Sequence, residues 1–174
     1  LYYLLAAPVF ALTDGWISAI RLFSVVLGGA LVVVAYLIGA EVYPGHLVFA
    51  LGGAAFVAFV PQHLAMMSAV NNDSLSELLI ALVVLQSMRL FRSSTIPGSK
   101  LILLGVTLGL GLLTKATFYY TAVPIALAAL ILHSRRYALR ITHYVLVFAP
   151  VLLIGAVWWI RNLGVYGGFD VMGL

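Results

Sequence analysis

Long apolar runs alternate with short polar breaks along the whole chain, and the runs have the length of membrane-crossing helices. A transmembrane helix needs about 20 predominantly apolar residues. Leu22–Ala40 is such a run, with Arg21 at one end and the polar stretch from Glu41 to His46 at the other. Leu47–Val70 follows and is long enough to cross even with Pro61 inside it. Leu75–Leu90 comes next and closes on Arg89 and Arg92. Residues 93–100 are polar and rich in turn formers, as a loop should be. Tyr144–Ile160 is a further span, ending at Arg161 and Asn162. The pattern therefore predicts spans over 21–40, 47–70, 73–92 and 142–161.

Two stretches depart from this length. Residues 1–12 are apolar but too short to cross, and Thr13-Asp14-Gly15 is a turn signal, so an interfacial helix is expected there. The run Leu101–Leu132 is too long for one ordinary span and too short for two, with Lys115 near its middle. Clustering of Lys and Arg on the cytoplasmic side decides between one long helix and two short ones. Two helices, 101–114 and 116–133, place Arg89, Arg92, Lys100, Arg135, Arg136 and Arg140 on one side and leave Arg21 and Arg161 on the other. One long helix would abolish that bias. The expectation is an all-α polytopic transmembrane helix bundle with an N-terminal interfacial helix and a short-helix hairpin, forming one domain over 1–174.

Composition agrees with a lipid-embedded chain. Of the 174 residues, 64% are hydrophobic and 8% charged, against about 25% charged in soluble domains. The net charge of +4 does not indicate nucleic acid, because the cations sit at the ends of apolar runs and form no stripe. With no cysteine, disulfides, thiolate metal sites and cysteine nucleophiles are excluded. No Rossmann fingerprint, P-loop or HExxH is present. The chain enters an apolar run at Leu1 without a basic leader region, so no signal peptide is read there. A fragment of a longer membrane protein is expected.

The predicted outer face collects Asp14, Arg21, Asn71, Asn72, Asp73, Glu77, Arg161, Asn162 and Asp170. The stretch SAVNNDSLSELL (68–79) has one explanation in helix capping, with Ser74 and Glu77 as a capping box. Capping accounts for one small polar residue and one Glu, but not for three polar side chains in a row. A carboxylate flanked by amides also suits a hard cation or a hydroxyl group. The two roles are compatible. Lys115 lies within an apolar run, which costs about 2.5–3.5 kcal/mol at a helix centre on insertion scales. Snorkelling would explain it near the surface. Within a cavity, with Thr114, Thr117, Tyr119 and Tyr120 beside it, it suits an anion such as phosphate. Arg21 and Arg161 read as topological anchors or lipid-phosphate contacts. His63 reads as a ligand or, more simply, as a satisfied interhelical histidine.

Taken in order, LYYLLAAPVF, IRLFSVVLGGALVVVAYLIGAEVYP, VPQHLAMMSAVNNDSLSELL, GLGLLTKATFYYTAVPIALAAL and WWIRNLGVYG resemble the GT-C-fold membrane glycosyltransferases. Within these the chain is similar to protein O-mannosyltransferases and the aminoarabinose transferase of lipid A. The resemblance covers nearly the whole chain. It implies transfer of a sugar, hexosyl or pentosyl, from a polyprenyl-phosphate donor to a lipid, glycan or protein acceptor on the non-cytoplasmic face, generally with inversion. Such enzymes are often dependent on a divalent metal ion, the one cofactor implied. The principal acid of the family lies in the first external loop, expected just before Leu1. With it, the first transmembrane helix and a C-terminal part are expected to lie outside this stretch, which alone should be inactive.

Residue by residue, the resemblance places Asp73 as the second acid, catalytic or a metal ligand. Lys115 falls where a basic residue could hold the carrier phosphate. Asn71, Asn72, Arg21, Arg161 and Asn162 are candidate substrate-binding residues. An integral membrane location, in a bacterial plasma membrane with the active face outside, is expected, with membrane lipids as surroundings and no nucleic-acid partner. The rival readings are a multi-span transporter or permease with a buried charged substrate site, and a scaffold subunit in which Asp73 only caps a helix.

Overall fold

A computed structural model of the chain describes residues 1–137 and 141–166, the side chains of Arg135 and Arg136 excepted. Arg140 and Asp170, both assigned to a membrane face from the sequence, lie outside the described residues. Within them the protein is all-α: α1 (Tyr2–Leu12), α2 (Ile17–Val42), α3 (Leu47–Phe59), α4 (Pro61–Met67), α5 (Asp73–Arg92), α6 (Gly98–Leu112), α7 (Thr117–Tyr137) and α8 (Ile141–Tyr166). Four helices are long and apolar enough to cross a membrane: α2, α5, α7 and α8. The bent pair α3–α4 makes a fifth candidate. Their outward faces carry Phe56, Phe59, Val48 and Leu153, all at least 74% exposed. In water each would forfeit about 1.5–3 kcal/mol of burial, so lipid covers them. The protein is a polytopic membrane bundle.

The fold divides into two compact units, Leu1–Leu85 and Gln86–Leu174, with the boundary inside α5. In the first unit α1, at 11 residues and about 1.5 Å per residue, is too short to cross. It is pinned to α2 by a fully buried hydrogen bond of 2.6 Å between the Tyr2 and Ser24 hydroxyls. The turn after it closes through left-handed backbone at Asp14 (φ 49°) and Gly15 (φ 79°). The amide of Gly15 donates to the Phe10 carbonyl at 2.9 Å. This is the turn read from Thr13-Asp14-Gly15.

α2 and α3 form the closest pair of this unit because Gly39 lets the backbones meet. A Cβ at Gly39 would stand 2.8 Å from the Ala50 Cα and 2.9 Å from the Phe49 carbonyl oxygen. The run from Leu47 to Val70 is not one straight span. It bends by 64° between α3 and α4. Pro61 has no N–H with which to continue the α3 ladder, and Val60 before it is extended (φ −68°, ψ 117°). Pro61 instead takes the first position of α4, where the missing donor costs nothing.

In the second unit α6 is the central element. Its buried face runs through Leu101, Leu104, Gly105, Leu108, Gly109 and Leu112. Gly105 lies directly on the Val147 backbone of α8, and Gly109 lies against Pro150 and Ile154. Close approach of this kind substitutes van der Waals packing for the hydrophobic drive that lipid removes. α7 returns after a four-residue break, and the fully buried Phe118 ring occupies the space left open by the missing side chain of Gly111. Ala122, Ala126 and Leu130 continue that buried face along α7. The apolar run of 101–132 accommodates two helices because α6 begins at Gly98 and α7 continues to Tyr137, recruiting polar residues at both ends. α7 thereby becomes long enough to cross. His133, near the end of α7, is only 2% exposed.

Replacing Gly105 with Ala should destabilise the protein by about 1–3 kcal/mol, as overpacking against rigid backbone does. Gly52, whose added Cβ would meet nothing within 4 Å, is the matched control. Thermal melting in detergent should show Gly105→Ala lowered by several degrees and Gly52→Ala unchanged or raised. Equal melting temperatures would contradict the packing described.

Candidate functional site

The polar residues of interest fall into two groups, one in each unit. In the first, Asn71, Asn72 and Asp73 form the turn that leads from α4 into α5. The Asn72 carbonyl accepts the Ser76 amide at 3.0 Å, making Asn72 the cap and Asp73 the first helical residue. A carboxylate there is favoured by the helix dipole. The Asn71 side chain is occupied by the turn itself. Its Oδ1 accepts the Asp73 amide at 3.1 Å, and its Nδ2 donates to the Met66 carbonyl at 3.4 Å. Asn71 thus holds the corner between α4 and α5.

The capping box read from Ser74 and Glu77 is not formed. Ser74 is already inside the helix, and its hydroxyl reaches back to the Asn71 carbonyl at 3.4 Å. The Glu77 carboxylate instead meets Nδ1 of His63 on α4 at 3.1 Å. His63 is thus an interhelical histidine, and its partner was missed. The available signal was a His and a Glu placed symmetrically about one tight turn. Glu77 lies one helical turn beyond Asp73, so both carboxylates share the α5 face toward α4. Arg21, in the second turn of α2, is exposed, and no hydrogen bond or ion pair joins it to this group among the described residues.

The second group surrounds the break between α6 and α7. Leu113 and Thr114 close α6 through bonds to Gly109 and Gly111. The buried Thr114 hydroxyl donates to the Leu110 carbonyl at 2.7 Å. Lys115 follows, half-buried, and its carbonyl accepts the Phe118 amide at 3.1 Å, starting α7. The ammonium therefore belongs to a residue two positions before a helix N-terminus that has no acidic residue in its first turn. Helix N-termini attract anions and disfavour cations.

Tyr119, four residues on, accepts a 2.6 Å hydrogen bond from the Trp159 indole of α8. That contact brings the start of α7 to the end of α8 that carries Arg161 and Asn162. Arg161 lies 5.1 Å over the Trp158 ring and donates to Asn162 Oδ1 at 3.1 Å. Asn162 is fully buried. Lys115, Arg161 and Asn162 are thus gathered at one end of the second unit, and Asn71, Asn72 and Asp73 at one turn of the first. Among the described residues no three His, Asp or Glu side chains approach closely enough to hold a metal ion. Asp73 could supply one ligand to a metal, and the described residues do not complete the set.

These features define a class: an integral membrane protein whose polar groups are concentrated at breaks between spans. The family model described as dolichyl-phosphate-mannose-protein mannosyltransferase matches residues 1–159. The chain belongs to that family of membrane glycosyltransferases. No curated protein and no solved structure matches it. Family membership supports the glycosyltransferase reading over the transporter reading.

The His63–Glu77 pair should show energetic coupling. It is partly exposed, so solvent screening limits the coupling to about 0.5–1 kcal/mol. A cycle of His63→Ala, Glu77→Ala and the double variant, followed by thermal unfolding, should find the double variant little worse than either single one. Strictly additive losses would contradict the contact.

Proposed function

We propose that the protein transfers a sugar from a polyprenyl-phosphate carrier to an acceptor hydroxyl on the non-cytoplasmic face of the membrane. The donor class follows the family. The observation that carries the reading is the position of Lys115 at the break before α7, where a cation and a helix N-terminus both favour an anion. A carrier lipid has its tail in the bilayer and its phosphate near the interface, where such a break offers backbone N–H groups and an ammonium together.

In the proposed step the acceptor oxygen attacks the anomeric carbon, and the bond from that carbon to the phosphate oxygen breaks. The acceptor proton passes to a carboxylate base, and polyprenyl phosphate leaves with the bonding pair. Lys115 stabilises the charge growing on the departing phosphate. Thr114 and Tyr119 frame the same break, and Arg161 and Asn162 border it through the Tyr119–Trp159 contact. Asp73, assisted by Asn72, orients the acceptor hydroxyl. The principal base is assigned by family resemblance to an external loop preceding Leu1. A divalent metal, where the enzyme uses one, would take Asp73 as one ligand. Arg21 is assigned to the carrier or a lipid phosphate at the outer surface. The bias of Lys and Arg to the opposite ends of the spans supports an active face on the non-cytoplasmic side, which the proposal sets at the outside of a bacterial plasma membrane.

Lys115→Ala should lower transfer from a polyprenyl-phosphate sugar by about 10²–10³-fold, the usual loss on removing one preorganised electrostatic donor, while membrane insertion is unchanged. Asp73→Asn should lower turnover by about 10²-fold, as loss of a group that positions the attacking atom does, with little change in donor binding. Transfer at the native rate by Lys115→Ala protein would overturn the phosphate role.

A further inference from the structure

A cavity of about 600 Å³ lies in the first unit, between α2 and the bent pair α3–α4. Pockets that hold small ligands measure about 300–1,000 Å³, so it has the capacity of one. Two features open it. The 64° bend at Pro61 swings α4 away from the line of α3. Gly29 leaves the facing side of α2 bare, since a Cβ there would meet nothing within 4 Å. The wall is apolar through Val25, Val32, Ala58 and Leu64, and its polar side chains are His63 and Ser68. Among the described residues no Lys, Arg, Asp or Glu lines it.

Both polar side chains offer lone pairs. Glu77 stands outside the wall and meets His63 Nδ1 at 3.1 Å. A carboxylate has no proton to give, so Nδ1 donates, and in the neutral ring Nε2 keeps its lone pair. The ring thus stands between Glu77 and the cavity, and Nε2 has no hydrogen-bond partner among the described residues. The Ser68 hydroxyl gives its proton to the Ala65 carbonyl at 3.0 Å. A lone pair facing apolar space is costly until a donor reaches it.

The simplest account is that His63 only ties α4 to α5 and that lipid tails fill the groove. The tie uses Nδ1 alone. A lipid tail covers Val25 and Leu64, but it brings hydrocarbon or ester oxygens to Nε2 and no donor. A water supplies the donor and leaves the apolar wall uncovered. A phosphate finds no cation. A peptide brings backbone N–H and C=O groups that all need partners, and the wall has too few. A hydrocarbon body ending in a hydroxyl satisfies the wall and the ring together.

We infer that this cavity binds a lipid alcohol, its hydroxyl donating to His63 Nε2 and its chain lying against Val25, Gly29 and Val32, and that this alcohol is the sugar acceptor. Glu77 is one helical turn from Asp73, about 5–6 Å between Cβ atoms. The hydroxyl end of the cavity is therefore next to the carboxylate assigned above to the acceptor. The acceptor role rests on that assignment, and the binding does not.

The test embeds the chain in phosphatidylcholine nanodiscs with a long-chain alcohol that carries a diazirine in its chain, or with the methyl ether of the same alcohol. Photolabelled peptides are mapped by mass spectrometry. The alcohol should label residues 25–32 and 58–68. The ether should label them about tenfold less, the loss expected when one hydrogen bond in an apolar site is left unmade. His63→Phe keeps a ring and removes the lone pair, and should lower labelling by the alcohol to the level of the ether. Gly29→Leu fills the cavity and should abolish labelling. Gly52→Leu, equally free of contacts and outside the wall, should label as the native protein does. In transfer assays with a polyprenyl-phosphate sugar, Gly29→Leu should raise KM for the alcohol, as loss of uniform binding does. Equal labelling by alcohol and ether would overturn recognition of a hydroxyl, and native labelling of Gly29→Leu protein would overturn the cavity. Transfer to a serine- or threonine-bearing peptide with none to the alcohol would overturn the acceptor role. Absence of transfer to every acceptor, with the labelling pattern intact, would overturn the transfer reaction and the acceptor role with it, the lipid-alcohol site alone surviving.

Discussion

The contact between α6 and α8 is the constraint on which the second unit depends. Gly105 and Gly109 carry no side chains, so α6 lies against the backbone of Val147 and Pro150. In lipid there is little hydrophobic gain from bringing two apolar helices together, and close packing supplies the attraction instead. With α6 fixed in this way, the chain must reverse at its end, and Gly111 admits Phe118 at the reversal. The break thus falls at residues 113–116, and Lys115 is presented there rather than along a continuous helix. The Tyr119–Trp159 bond then ties the restart of α7 to α8.

In the first unit a different device produces the polar turn. Pro61 ends α3, and the short α4 swings away by 64°. Met67 settles on Gly28 of α2, and His63 engages Glu77. The corner that follows is held by Asn71, whose amide serves both α4 and α5. Asp73 is consequently presented by a locally rigid turn, not by a loose loop. A carboxylate that must orient a reacting group benefits from this, because positioning contributes only when the geometry is held before reaction.

Much of the helical plan was legible because membrane helices announce themselves by length and by what interrupts them. Asp73 and Arg92 bound α5, and Lys115 marks the break between α6 and α7. The bend at Pro61 was less visible. Pro8, Pro124 and Pro150 all remain inside helices, so the residue type alone does not distinguish a kink from a break. What decides it at Pro61 is tertiary: the packing of Met67 and the pairing of His63, which no run of hydropathy contains. Glu77 was misread for the same reason. Its spacing from Ser74 fits a cap, but a partner across the turn competes for the carboxylate and wins. The Asn71 amide looked like a ligand for substrate, and the backbone of two helices uses it first.

Family membership and local geometry bear on different parts of the account. The family supplies the class of reaction, sugar transfer within the membrane. The geometry supplies a reason for a lysine at a helix break, since the dipole of α7 and an ammonium beside it converge on an anion. The account therefore rests most on the carrier phosphate sitting at residues 113–120. A photoactivatable polyprenyl phosphate, added to the membrane-embedded protein and mapped by peptide mass spectrometry, tests this directly. The predicted result is labelling centred on residues 113–120 that excess unlabelled polyprenyl phosphate abolishes. Labelling confined to α2 and α3, or labelling there at 113–120 that the competitor leaves untouched, would contradict it.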